Sequence, residues 1–243
     1  MIGRRFSYLT ILSLIVLTAS FTSSACADTI AWTKWSAVTP GNPGSAKGTL
    51  ASSVYGTIDV NYSGQASGLL VNYPSWTPTS TFTGGIAGNA PPSSNDAVQL
   101  VGGQAYTETI TFSVPVVDPL FAIWSLGSPT VPAYFIFNSN EPFNDLGGGP
   151  SAEYGGTGLV ISGPSIFGKE GNGLVQFIGT YSSLTFTTPN FEDYYAFTIG
   201  EDSTLTDGGP TTPSAVPEPG TLSLLTLGLL GLSSRTYSKL RRS

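Results

Sequence analysis

Apolar residues in the middle of this chain recur at every second position, and that spacing restricts what the chain can fold into. Ile58, Val60 and Tyr62 alternate with Thr57, Asp59 and Asn61, and Ile110, Phe112 and Val114 alternate with Thr109, Thr111 and Ser113. Successive side chains of a strand point to opposite faces, so each run predicts a strand buried on one side. Clusters of Gly, Pro, Asn and Ser break the pattern at roughly ten-residue intervals, the rhythm of an antiparallel all-β domain. Leu120–Leu126 and Val131–Phe137 are apolar on both faces and are expected centrally, between layers. Leu174–Ile178, Leu184–Phe186 and Tyr194–Ile199 supply the later strands. The pattern predicts about ten strands over residues 28–200, arranged as a β-sandwich or jelly roll. Residues 74–95, rich in Thr, Gly and Pro, read as a long surface loop, where function often sits.

Composition removes whole classes of chemistry from the 243 residues. There is no histidine, so a Ser-His-Asp triad is impossible and the commonest zinc and copper ligand is missing. The one cysteine, Cys26, lies in the N-terminal segment, outside the predicted body. The basic residues crowd the ends of the chain: Arg4 and Arg5 at one, Arg235, Lys239, Arg241 and Arg242 at the other. Between Asp28 and Ala215 only Lys34, Lys47 and Lys169 face fourteen Asp or Glu, a net charge of −11. Nucleic-acid binding needs clustered Lys or Arg to replace counterions, so no nucleic-acid partner is expected. A body of this size is large enough to be held by packing alone, burying roughly 70% of its unfolded surface.

Three kinds of site remain open. A pair of carboxylates can cleave a glycosidic bond without histidine or cysteine. Glu108 shares strand parity with Tyr106, Ile110, Phe112 and Val114 and so points to the apolar face if the strand is unbroken. Because a buried unpaired carboxylate is costly, the expectation is that it sits where the strand enters the sheet and reaches water. Glu153 and Glu170 lie in turn-like segments and read as solvated acids. Asn138, Asn140, Glu141, Asn144 and Asp145 cluster in one predicted turn, where oxygen donors suit calcium but also cap the backbone; their spacing fits no EF-hand. Trp35 and Trp76 are candidates for stacking on sugar rings near predicted loops or strand edges, and Glu192 and Asp193 before Tyr194 and Tyr195 offer an acidic rim. Trp124, inside Phe121-Ala122-Ile123-Trp124, reads as core.

The two ends carry addresses. Arg4 and Arg5, the uncharged stretch from Phe6 to Ala27 with its apolar centre Leu9–Leu17, and Ala25-Cys26-Ala27 together read as a signal peptide over residues 1–27, cleaved by signal peptidase after Ala27. A twin-arginine signal is a weaker reading because Phe6 follows the pair at once. A lipoprotein signal acylated at Cys26 is weaker too, because Ser23-Ser24-Ala25 lacks the usual leucine. Residues 201–215, rich in Thr, Asp, Gly and Pro, read as a flexible linker. Then come Val216-Pro217-Glu218-Pro219, an uncharged stretch over residues 220–234, and the basic end with Arg235, Lys239, Arg241 and Arg242. Fifteen residues make a helix of about 22 Å, short for a bilayer unless flanking basic side chains snorkel.

This arrangement over Val216 to Ser243 resembles the PEP-CTERM sorting tail of Gram-negative bacteria, which joins a Pro-Glu-Pro motif, a short transmembrane helix and a basic end. The resemblance implies recognition by an exosortase-type membrane protease, transient anchoring in the inner membrane, and release or attachment of the body at the cell surface or in the extracellular matrix. Phe112-Ser113-Val114-Pro115-Val116 followed by Phe121-Ala122-Ile123-Trp124-Ser125-Leu126-Gly127 also resembles a segment recurring in bodies with such tails, to which no activity attaches. Together these imply an exported, non-enzymatic envelope or matrix protein with a structural or exopolysaccharide-associated role and no required cofactor, calcium remaining open. A carbohydrate-binding module is the alternative, and a two-carboxylate glycosidase stands third.

Overall fold

The computed structural model describes residues 28–70, 75–92 and 97–204. The signal peptide, most of the linker and the sorting tail lie outside these residues. Fourteen strands form: β1 Ile30–Trp32, β2 Lys34–Thr39, β3 Gly41–Ser52, β4 Gly56–Ala66, β5 Gly68–Leu70, β6 Ala97–Val117 and β7 Leu120–Leu126. They continue with β8 Ala133–Phe137, β9 Phe143–Gly148, β10 Thr157–Gly158, β11 Val160–Ser162, β12 Ser165–Gly168, β13 Gly171–Phe177 and β14 Thr180–Asp202. The main sheet runs β10-β13-β7-β14-β6-β4-β3-β2, with the shorter strands attached along it. Every pairing is antiparallel except that of β10 with β13.

Two long strands fold this sheet over itself. β6 and β14 pair along their length, but the register slips between Tyr181 and Ser183, Phe186 and Thr188, Thr188 and Phe191, and Phe191 and Tyr195. Each bulge adds bend and twist. Beyond the bulges β14 pairs with β7 and β1, whereas its first half pairs with β8. The two halves therefore face one another as a sandwich. Phe121 of β7 packs at 5.3 Å from Phe135 and from Phe137 of β8, strands that share no ladder, and stacks at 5.0 Å on Phe197. Leu184–Phe186 and Tyr194–Ile199, read from sequence as separate strands, are thus two parts of β14, which also continues past Gly200 to pair Glu201 and Asp202 with β1.

A second core lies on the other face of β7, β13 and β14. Leu120, Ala122, Trp124, Leu174 and Ala196 meet Trp76, Phe82, Ala87 and Ala90 there. All seven residues of β7 are buried, as expected of a strand apolar on both faces. β8 departs from that expectation: Ala133, Phe135 and Phe137 are buried while Tyr134 and Ile136 alternate outward, and Val131 is 51% exposed. The expected loop at 74–95 is, over residues 75–92, a cover for this second core, with a short 3-10 turn at Thr79–Thr81.

Candidate functional site

Glu108 is fully buried, at 0% exposure, so strand parity and not the cost of burial decides its position. β6 pairs there with both neighbours, and the carboxylate meets donors from each. Tyr62 of β4 and Thr188 of β14 donate their hydroxyls to it, and the Gln65 backbone N–H donates at 3.1 Å. The Gln65 amide in turn donates to the Gly102 carbonyl at 2.5 Å. Burial pushes the Glu108 carboxyl above its ordinary range, and the hydroxyl and amide donors pull it back. Burial and the nearby carboxyl push the Tyr62 and Tyr195 phenols well up, so both stay protonated. Gly102 has φ +61, and a Cβ there would lie 2.1 Å from the Asn190 carbonyl oxygen and 2.7 Å from the Tyr195 hydroxyl. This cluster ties β4 and β6 to the bulged centre of β14. It is buried, and its donors are directed at the Glu108 carboxylate and the Gly102 carbonyl.

The sequence-chosen tryptophans are core residues. Trp35 is 1% exposed, packs edge-on against Phe197 at 6.1 Å, and donates its indole N–H to Thr198 at 3.1 Å. Trp76 is also 1% exposed and meets Phe82 edge-on at 5.1 Å. Neither presents a ring face to solvent, which corrects the expectation that they form an exposed stacking surface. The reason is parity for Trp35, which alternates with exposed Lys34 and Ser36, and coverage of the second core for Trp76. A cavity of about 540 Å³ does lie against Trp76, lined by Thr79, Ser80, Thr83, Asn89 and Pro91. The Asn89 amide there is already bonded to Ile30, accepting from its N–H at 2.7 Å and donating to its carbonyl at 3.0 Å.

The turn proposed for calcium bonds to the protein itself. Both Glu141 oxygens accept from the Thr185 N–H, at 3.0 and 3.2 Å, and Oε1 also accepts from the Thr185 hydroxyl. Asn138 caps the Asn140 N–H at 3.1 Å and Asp145 caps the Gly147 N–H at 3.2 Å, while Asn144 lies in β9. Among the described residues no group of three or more His, Cys, Asp or Glu is placed to hold a metal ion.

A site that the sequence did not assemble forms where four segments meet. At the end of β7, Trp124 is buried under Tyr154, with ring centroids 5.5 Å apart, and Tyr194 of β14 packs edge-on against Trp124 at 5.3 Å and against Tyr154 at 6.3 Å. Tyr154 is 47% exposed. Ser125 and Glu170 beside them take left-handed backbone, at φ 57 and φ 56, and are tied together: the Ser125 hydroxyl donates to Glu170 Oε2 at 2.6 Å. Asn172 completes the brace, accepting from the Ser125 N–H at 2.8 Å and donating to the Glu170 and Gly155 carbonyls at 2.8 and 3.2 Å. Glu192 Oε1 accepts from the Tyr194 N–H at 3.0 Å, the Gly127 backbone N–H also acts on the carboxylate, and Oε2 is shut off from solvent. Burial, against the pull of the Tyr194 and Gly127 backbone N–H groups and with the added repulsion of Glu170 and Asp193, pushes the Glu192 carboxyl up to about 7. Glu170, read from sequence as a solvated turn acid, is thus a bonded, partly buried group, and Glu153 likewise has a buried carboxyl oxygen. The adjacent acids before Tyr194 were visible in the sequence; their meeting with Tyr154 and Glu170 depends on the fold.

Residues 215–242 match the family described as the PEP-CTERM protein-sorting motif. No curated protein and no solved structure matches the chain.

Proposed function

Since the chain carries a PEP-CTERM sorting motif, which implies export and processing of the C-terminus by an exosortase, a membrane protease, we propose that it is a β-sandwich component of the cell envelope or extracellular matrix with a structural or exopolysaccharide-associated role. The motif is the observation that carries this reading. In it, signal peptidase removes residues 1–27, the apolar run at 220–234 holds the precursor in the inner membrane, and the body is left at the cell surface or in the matrix of a Gram-negative bacterium. The proposed role is non-enzymatic. A body of net charge −11 with no histidine or arginine between Asp28 and Ala215 suits a soluble surface component. The second reading is a carbohydrate-binding module, favoured by the exposed Tyr154 ring that Tyr194 meets edge-on. A two-carboxylate glycosidase ranks below both.

The test is expression in a host that contains an exosortase, comparing the natural chain with one carrying Pro217→Ala, Glu218→Ala and Pro219→Ala. The natural chain should be recovered from the extracellular matrix without its tail and leave that fraction when the matrix polysaccharide is digested. The variant should stay in the membrane fraction with its tail intact. Equal distribution of the two chains contradicts the sorting step, and indifference to polysaccharide digestion contradicts the polysaccharide association.

A further inference from the structure

We infer that the corner formed by Tyr154, Tyr194 and Trp124 is a binding site for a polysaccharide chain of neutral pyranose rings. This inference rests on the exopolysaccharide reading above and gives it a place on the molecule.

The C–H face of a pyranose ring is apolar and flat, and an exposed aromatic ring is its natural platform. Tyr154 offers such a platform and is fixed from below by Trp124 at 5.5 Å, so little freedom is lost when a sugar lands on it. Tyr194 stands nearly perpendicular to Tyr154, at 85°, and makes a second wall. The ring hydroxyls of a sugar seated on Tyr154 stay at the solvent edge of the corner, so the contact is carried by the aromatic platform.

The supporting frame is unusually constrained for a surface loop cluster. Ser125 and Glu170 both hold left-handed conformations that non-glycine residues rarely adopt, and the Asn172 side chain bonds to three segments at once. The turn that carries Tyr154 is braced in the same way, with the Ser151 N–H donating to the Gly155 carbonyl at 2.7 Å and the Tyr154 N–H to the Ser151 hydroxyl at 3.2 Å. The sign of the charge selects the ligand. Glu170, Glu192 and Asp193 share this corner of a body with net charge −11, so chains bearing uronate or sulfate groups are repelled and neutral ones are not.

The experiment uses the full chain in detergent micelles and follows tryptophan emission as laminarin, a neutral glucan, or alginate, a polyuronate, is added. Laminarin should bind saturably, and alginate should not. Tyr154→Ala, at an exposed position, should weaken laminarin binding about tenfold or more, with thermal unfolding confirming that the variant is folded. Unchanged laminarin affinity in folded Tyr154→Ala overturns the site while leaving the polysaccharide role standing. Alginate binding as tight as laminarin overturns the charge argument and the proposal with it. Absence of laminarin binding also overturns the site, and the matrix-digestion assay then decides separately whether the broader role survives.

Discussion

Replacing Glu108 with alanine tests how the bulged centre of the sheet is held. The carboxylate receives three donors, from Tyr62, Thr188 and the Gln65 backbone. When it is removed, Tyr62 still has the Gln65 carbonyl oxygen at 2.8 Å, but the Thr188 hydroxyl and the Gln65 N–H lose their partner. Each stranded buried donor costs about 1–3 kcal/mol. The loss is partly offset because a desolvated carboxyl no longer has to be buried. A net destabilisation of about 2–4 kcal/mol is expected, a large share of the roughly 5–15 kcal/mol that holds a domain together. Guanidinium unfolding followed by tryptophan fluorescence measures it as a shift of midpoint at constant slope. A cycle with Tyr62→Phe should show coupling above about 0.5 kcal/mol, since the two groups are in direct contact. A Glu108→Ala variant within about 0.5 kcal/mol of the natural protein, or no coupling to Tyr62, would refute the view that this cluster fastens the fold.

Other consequences are open to measurement. Gly102→Ala should destabilise by more than about 2 kcal/mol, because a left-handed φ is joined to a Cβ placed 2.1 Å from a carbonyl oxygen; Gly56→Ala, at φ +75 with open space around it, should cost only about 1 kcal/mol. Glu192 titrates near 7 when folded and in the ordinary carboxyl range when unfolded, so the folded state holds the extra proton and stability falls as pH rises from about 4.5 to about 7. Because Glu192 is only partly buried, the fall is expected at about 1–2 kcal/mol, and Glu192→Gln should flatten it in unfolding curves taken across that range. Phe121→Ala empties a site in contact with Phe135, Phe137, Phe177, Phe186 and Phe197 and should cost about 3–5 kcal/mol by the same unfolding assay.

The parts of this fold that were legible in the sequence are those set by neighbours along the chain. β7 has the bounds read from its apolar run, because Pro119 and Gly127 close it off on either side. Leu184–Phe186 and Tyr194–Ile199 read as two strands because the alternation lapses between them, and local pattern cannot separate such a lapse from bulges that let one strand continue. Trp35 carried the signal of its own burial in the alternation of Lys34, Trp35 and Ser36, whereas Trp76 is buried by a cover that has no periodicity to read. Glu108 pointed inward by parity, but what makes that tolerable are Tyr62 and Thr188, 46 and 80 residues away. The corner at Tyr154 was hidden for the same reason: its residues come from four segments that only the folded sheet brings together.

The central claim is that this body is exported and parted from its tail. Intact mass of the protein recovered from the surface of an exosortase-containing host tests it directly. The account predicts a chain that begins at Asp28 and ends at or before the Pro217-Glu218-Pro219 motif. A recovered chain that still carries Arg235 to Ser243, or a protein confined to the cytoplasm, would contradict it.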